Sequence, residues 1–186
     1  MEKINLQIKE IADKLGKKPV FGKGAERAEI LLLGEAPGAK EEETGIPFAG
    51  SAGKNLDEFL GILGLSRDNL YITNTVKVRP SKINEKTGRT VNRPPTEREI
   101  ELFYPVLRKE IFRVSPKIIV TLGNTPLKTL LGKDKTIGSC HGILTSWEGF
   151  PLFPLYHPAA VIYRQSLKSE YLADLEGLKS FLDGKM

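Results

Sequence analysis

Four residues from remote parts of the chain carry side chains that could do chemistry together: Glu35, Asn74, Asn124 and His157. A carboxylate can hold a water molecule or face a developing positive centre. An imidazole can donate to an oxygen that gains negative charge, and an amide presents a donor beside an acceptor. Phe48 adds an aromatic face able to stack on a flat ring. The set suits a heterocycle and fits cleavage of a bond between a sugar and a base. Each residue also has an ordinary use. Glu35 can be a solvated or helix-capping carboxylate, Asn74 and Asn124 turn residues, Phe48 a core plug and His157 a structural histidine. Position is what joins them, because each of the four polar residues stands just past an apolar run.

Those runs predict strands at 28–33, 70–73, 117–122 and 150–155, the last forming a hairpin with 142–147 across Glu148-Gly149. Between the first strand and the next helix lies Gly34 to Ala52, a glycine-rich bend of the kind that lets backbone approach a ligand. It matches neither a Rossmann fingerprint nor a Walker A loop. Helical periodicity predicts an amphipathic helix over 4–15 and another from an N-cap at Ser51 to about Leu63, stopped by Gly64. Thr96 and Glu99 have capping-box spacing ahead of the stripe Ile100, Phe103, Leu107 and Ile111, and Pro105 is expected to bend or split that helix. A short helix follows Gly123, and a terminal one runs from Ser169. Strands alternating with helices imply an α/β fold, a three-layer α/β/α sandwich around a mostly parallel four-stranded sheet, with residues 1–186 as a single domain. In such folds ligands bind outside the carboxyl ends of the strands, so the four polar residues are expected to share one rim.

Composition narrows the setting. The chain has 186 residues, a formal charge of +5 and one cysteine, Cys140. A positive excess agrees with a polyanionic partner and is also common on ordinary soluble proteins. A single cysteine excludes an intrachain disulfide framework and any all-cysteine metal site. No apolar run approaches membrane-spanning length, and the first residues lack a signal-peptide core, so a cytoplasmic protein without membrane contact is expected.

Two segments make the reading specific. Gly34-Glu35-Ala36-Pro37-Gly38 followed by Thr44-Gly45-Ile46-Pro47-Phe48-Ala49-Gly50-Ser51-Ala52-Gly53 resembles the first motif of family 4 uracil-DNA glycosylases. Tyr71 to Lys77 resembles that family's base-reading strand end, and Tyr156-His157-Pro158-Ala159-Ala160 resembles its second motif. The resemblance implies a monofunctional enzyme acting on uracil-containing DNA, single- or double-stranded, as a monomer. In it Glu35 would position the hydrolytic water, Phe48 would stack on the extruded base, Asn74 would bond its Watson–Crick edge and His157 would stabilise the departing anion. Gly34 and Glu41 are expected beside the base, Glu41 as a candidate for rejecting thymine. Gly50, Ser51 and Ala52 at a helix N-terminus, together with Lys77 and Arg93, are expected on DNA. Val161, Ile162 or Tyr163 would fill the space left by the flipped nucleotide, with Arg164 on a phosphate; Val161 and Ile162 read equally well as core residues of a short helix.

The sequence departs from the family in two places. Most members carry four cysteines for an iron–sulfur cluster, at positions that fall near Gln7 and Glu10 and at Val78 and Phe103. None is a cysteine here, so no cofactor is expected, and apolar packing is expected to replace the cluster. The polar stretch between Pro80 and Asn92 is about nine residues longer than the family spacing, holds Lys82, Lys86 and Arg89, and lacks the histidine with which a related branch links covalently to the abasic sugar. Enzymatic preference for hypoxanthine or xanthine, or a non-catalytic module binding damaged or single-stranded DNA, are the competing expectations.

Overall fold

A computed structural model describes residues 1–184, apart from the side chains of Ile162 and Gln165. Eight helices are described: α1 (Glu2–Lys14), α2 (Ala39–Thr44), α3 (Ser51–Leu63), α4 (Glu97–Val114), α5 (Asn124–Leu131), α6 (Ile137–Cys140), α7 (Pro158–Tyr163) and α8 (Lys168–Leu182). The strands are β1 (Lys23–Gly24), β2 (Ile30–Gly34), β3 (Leu70–Asn74), β4 (Ser81–Ile83), β5 (Thr90–Asn92), β6 (Ile118–Leu122), β7 (Thr145–Trp147) and β8 (Phe150–Leu155). The main sheet has the order β1-β3-β2-β6-β8-β7. Its four inner strands are parallel, as expected, while β1 and β7 add short antiparallel edges. The β7–β8 turn falls at Glu148-Gly149, both with positive φ, 46° and 88°. That is the backbone a two-residue hairpin demands.

Alternation along the inner strands feeds two cores, which is why their runs are apolar throughout. Leu32, Ile72, Val120 and Phe153 face Leu56 and Leu60 of α3 and Leu175 and Leu178 of α8. Leu31, Leu33, Tyr71, Ile119 and Leu152 face Leu107, Ile111 and Val114 of α4 and Leu130 of α5. The result is the expected three layers. Pro105 does not split α4, which runs unbroken from Glu97 to Val114. Its start is the expected capping box: Thr96 Oγ1 accepts from the Glu99 amide, and Glu99 accepts from the Thr96 amide.

A third apolar cluster joins α1 to α4. Val78 and Phe103 are both fully buried in it, with Ile8, Ala12, Val76 and Val106. These are the positions to which the resemblance assigns cluster ligands. Gln7 instead accepts a bond from Lys109, 2.9 Å, and Glu10 is exposed. The side chains present offer no thiolate to iron and do not fit an iron–sulfur cluster.

Chain order makes the sheet reverse direction at β2. After β2 the chain moves to β3 on one side, then returns to β6 on the other. The carboxyl ends of β2 and β6 therefore flank a topological switch point, where connections diverge and leave a crevice.

Candidate active site

A cleft of about 620 Å³ opens at this point. Its size falls in the range of small-molecule sites. Glu35, Asn74, Asn124 and His157 all line it, together with Phe48. The rim reasoned from the strand ends is thus one physical wall.

Glu35 follows β2 directly, and Thr125 Oγ1 of α5 donates a short hydrogen bond to its Oε2. The bond crosses the switch point, so carboxylate and hydroxyl come from opposite halves of the sheet. Asn74 ends β3 and is nearly buried. Gly34 pairs with it in register. A Cβ on Gly34 would stand 2.4 Å from Asn74 Oδ1 and 2.8 Å from Phe48 Cζ, so only glycine leaves both side chains where they are. Asn124 spends its carbonyl on the amide of Ile137, 2.8 Å, which fixes α6 beside the cleft.

His157 caps α7. The Ala159 amide donates to its Nδ1 at 3.2 Å. An imidazole that accepts at Nδ1 is neutral with its proton on Nε2. Burial pushes its pKa below the usual 6.5, favouring the same neutral form. The ring lies over Phe48, centroids 6.1 Å apart and planes 22° from parallel. The site therefore presents one N–H donor, one fixed carboxylate and an aromatic wall.

Phe48 needs support, because its backbone is left-handed, φ 54°. That conformation costs a non-glycine residue about 1–2 kcal/mol. Arg67, in a 3-10 turn over Arg67–Asn69, supplies the support. Its Nη2 donates to the carbonyls of Phe48 (2.9 Å) and Gly53 (3.1 Å), and its Nη1 to that of Pro47 (3.3 Å). Asp57 holds the guanidinium from behind, with Nε to Oδ1 at 2.6 Å. Gly53 must lack a side chain, since a Cβ there would collide with the Phe48 carbonyl and the Arg67 guanidinium.

The stretch from Gly34 to Ala52, expected as an irregular bend, contains the short helix α2. Gly38 starts it, and Gly45, φ 71°, ends it. Glu41 braces both sides of the loop: Oε2 accepts from the Gly38 amide at 3.0 Å and Oε1 from the Gly50 amide at 2.8 Å. It lines the cleft with both oxygens already engaged. Gly50, rather than Ser51, is the N-cap of α3. Its amide is taken by Glu41 and is not free for a phosphate. Ser51 and Ala52 line the cleft at the first turn of α3.

Lys77, Arg93 and Val161 are also expected on DNA, and the structure instead gives each a partner within the protein. Lys77 has no exposure at all and is paired with Glu110, while also donating to Thr73 Oγ1. Its whole side chain is sealed beneath α4, where burial lowers its pKa. Arg93 forks onto Glu99, 2.7 and 2.8 Å, and donates to the Pro94 carbonyl. This pairing holds the Glu99 carboxyl down at about 2. Val161 is 5% exposed and belongs to the core under α3, because it lies on the inner face of α7. Ile162 is expected beside it, and its side chain lies outside the described residues. Tyr163 is 87% exposed, and Arg164 is also exposed.

A parallel sheet with a small-molecule-sized cleft at its switch point, lined by a carboxylate, an imidazole, an amide and an aromatic ring, defines an α/β protein with a site able to take a heterocycle. The chain belongs to the uracil DNA glycosylase superfamily, whose family model matches residues 21–176. It is 38% identical over 181 residues to the type-4 uracil-DNA glycosylase of Saccharolobus solfataricus, an alignment covering 92% of this chain and 80% of that protein. It is 37% identical over 165 residues to the type-4 enzyme of Archaeoglobus fulgidus, covering 84% and 78%. Similarity to the type-5 uracil-DNA glycosylase of Pyrobaculum aerophilum is 32% over 162 residues, covering 76% and 66%.

Proposed function

We propose that this protein is a monofunctional uracil-DNA glycosylase that hydrolyses the N-glycosidic bond of an extruded deoxyuridine and leaves an abasic site. The observation that carries the reading is the joint presence of Glu35, Phe48, Asn74 and His157 around one cleft, drawn from three remote parts of the chain. A glycosidic bond is out of reach inside a stacked duplex, so the nucleotide must be flipped. Phe48 stacks on the base, and the Asn74 amide pairs with an adjacent acceptor and donor on its edge. Gly34 leaves the base room.

The bond from C1′ to N1 breaks with its electron pair going to the base, whose charge spreads onto O2. The neutral His157 ring donates from Nε2 to that oxygen. Glu35, held by Thr125, faces the cationic sugar and orients a water whose oxygen bonds to C1′. The water's proton leaves through the carboxylate or solvent, and the uracil anion takes up a proton on release. Tyr163 is the residue available to occupy the vacated stack, with Arg164 beside it on a phosphate. No helix among the described residues is long and apolar enough to cross a membrane. A single domain acting as a cytoplasmic monomer completes the proposal.

The test is excision from three labelled oligonucleotides carrying uracil, hypoxanthine or xanthine, followed by alkali. Scission at uracil is expected, falling about 100-fold or more in Glu35→Gln and in His157→Ala. Equal scission in those variants would overturn the assigned roles. Scission only at hypoxanthine or xanthine would move the substrate. Binding without scission on any of the three would mark a non-catalytic module.

A further inference from the structure

The extra residues after Pro80 form a hairpin, β4 against β5, with Ser81 opposite Asn92 and Ile83 opposite Thr90. Its root is fastened at the cleft. Asn92 lines the cleft, and Arg79 joins it to α2 by bonds to Asn92 Oδ1 (2.7 Å) and Glu42 Oε2 (3.2 Å). Lys17, just past α1, caps the Arg79 carbonyl at 2.8 Å. The tip is equally well made. Asn84 Oδ1 accepts from the amides of Lys86 and Thr87, and Gly88 takes φ 65° to close the turn. A floppy solvated loop would need none of this.

The cations that the hairpin carries hold nothing in the fold. Lys82, Lys86 and Arg89 are exposed, and their side chains make no hydrogen bond or ion pair among the described residues. Other cations at this end, Lys40, Arg79 and Arg93, are paired with Glu43, Glu42 and Glu99. Glu85 is the sole acid from Ser81 to Asn92, and Ile83 is 69% exposed. Unpaired cations on a hydrogen-bonded projection that starts at the cleft rim present positive charge to an anionic partner running past that rim.

We propose that the β4–β5 hairpin is a basic finger that grips the sugar–phosphate backbone flanking the nucleotide held in the cleft. The inference rests on reading the cleft as a DNA glycosylase site. Four or five residues separate the root from the tip, about 15 Å of extended chain. Phosphates on one strand rise about 3.4 Å apart. Laid along the strand, the tip reaches backbone about four nucleotides from the extruded one.

The experiment compares the full chain with K82Q/K86Q/R89Q, measuring affinity by anisotropy for 20-nucleotide single- and double-stranded DNA from 50 to 200 mM salt. Each phosphate grip removed lowers the slope of log K on log salt by about 0.9 on duplex and about 0.7 on a single strand. If all three cations grip phosphates, the advantage of the parent chain on duplex shrinks about 40-fold across that range. K82R/K86R is expected to keep the parent slope. On a substrate with two flanking nucleotides a side, the difference between parent and triple variant is expected to shrink to at most the share of Lys82, the cation nearest the root. Equal slopes on the long DNA, or an equal loss on the short one, would overturn the finger. These are binding measurements, so they stay separate from excision. A slope difference without uracil scission would remove the enzyme reading and leave the finger as a nucleic-acid contact. Scission with no slope difference would do the reverse.

Discussion

Arg67→Met should disable the site without unfolding the protein. The substitution keeps the apolar stem but removes the donors to the carbonyls of Pro47, Phe48 and Gly53. Arg67 is partly exposed, 30% at the side chain, so water replaces some of what is lost. A discounted value of about 1 kcal/mol for each of the two bonds at Pro47 and Phe48 gives about 2 kcal/mol. The left-handed backbone of Phe48 is itself uphill by about 1–2 kcal/mol. Without the clamp, the loop conformer that presents the ring falls to a minor population. Affinity for a state so populated drops by the same fraction, about 10- to 30-fold in kcat/KM. Arg67→Lys should not rescue it, since one ammonium cannot fork across several carbonyls. The assay is single-turnover excision in a double-mutant cycle with Phe48→Leu, with far-UV circular dichroism as the folding control. If Arg67 acts through the ring, removing it costs less than about 3-fold once the ring is gone. The same 10- to 30-fold loss in both backgrounds would refute the positioning role, and so would an unchanged kcat/KM in Arg67→Met alone.

Two further outcomes concern buried charge. Lys77→Met leaves Glu110 uncompensated in the interior and should destabilise the protein by about 3–5 kcal/mol, with K77M/E110L recovering most of that loss in a urea melt. An unchanged urea midpoint in Lys77→Met would show that the pair does not carry its charge. For His157, folding favours the neutral ring, so the unfolded chain binds the extra proton first. Its contribution to stability is whole above about 6.5 and is lost as pH falls from there through the lower folded value. Nitrogen NMR of His157 should show an Nε2–H tautomer at neutral pH and a titration midpoint below 6.5; a midpoint above it would contradict the donor assignment.

The strand ends were legible because parallel strands buried on both faces leave unbroken apolar runs, and a polar residue after such a run has only the sheet's carboxyl edge to occupy. That placed Glu35, Asn74, Asn124 and His157 together. Arg67 was invisible for a different reason. Its partners lie 10 to 20 residues away, and a lone arginine in a polar turn looks solvated. Thr125 likewise reaches Glu35 across 90 residues with no local trace. Lys77 misled because a cation beside a base-reading segment suggests phosphate. A signal did exist: Glu110 falls in helical phase with Phe103, Val106, Leu107, Ile111 and Val114, all buried. A carboxylate in an apolar stripe demands a buried cation. Val76 and Val78, both fully buried, flank the one that answers.

The apolar cluster that holds α1 against α4 has a consequence for conditions of use. An inorganic staple ties segments by bonds that oxidants break and chelators strip. Side chains such as Ile8, Val78 and Phe103 offer nothing to either reagent. Their cohesion comes instead from water, and it fades on cooling as the driving force for burying hydrocarbon weakens. The amino-terminal helix is therefore indifferent to metal supply and oxygen, and its weak season is the cold.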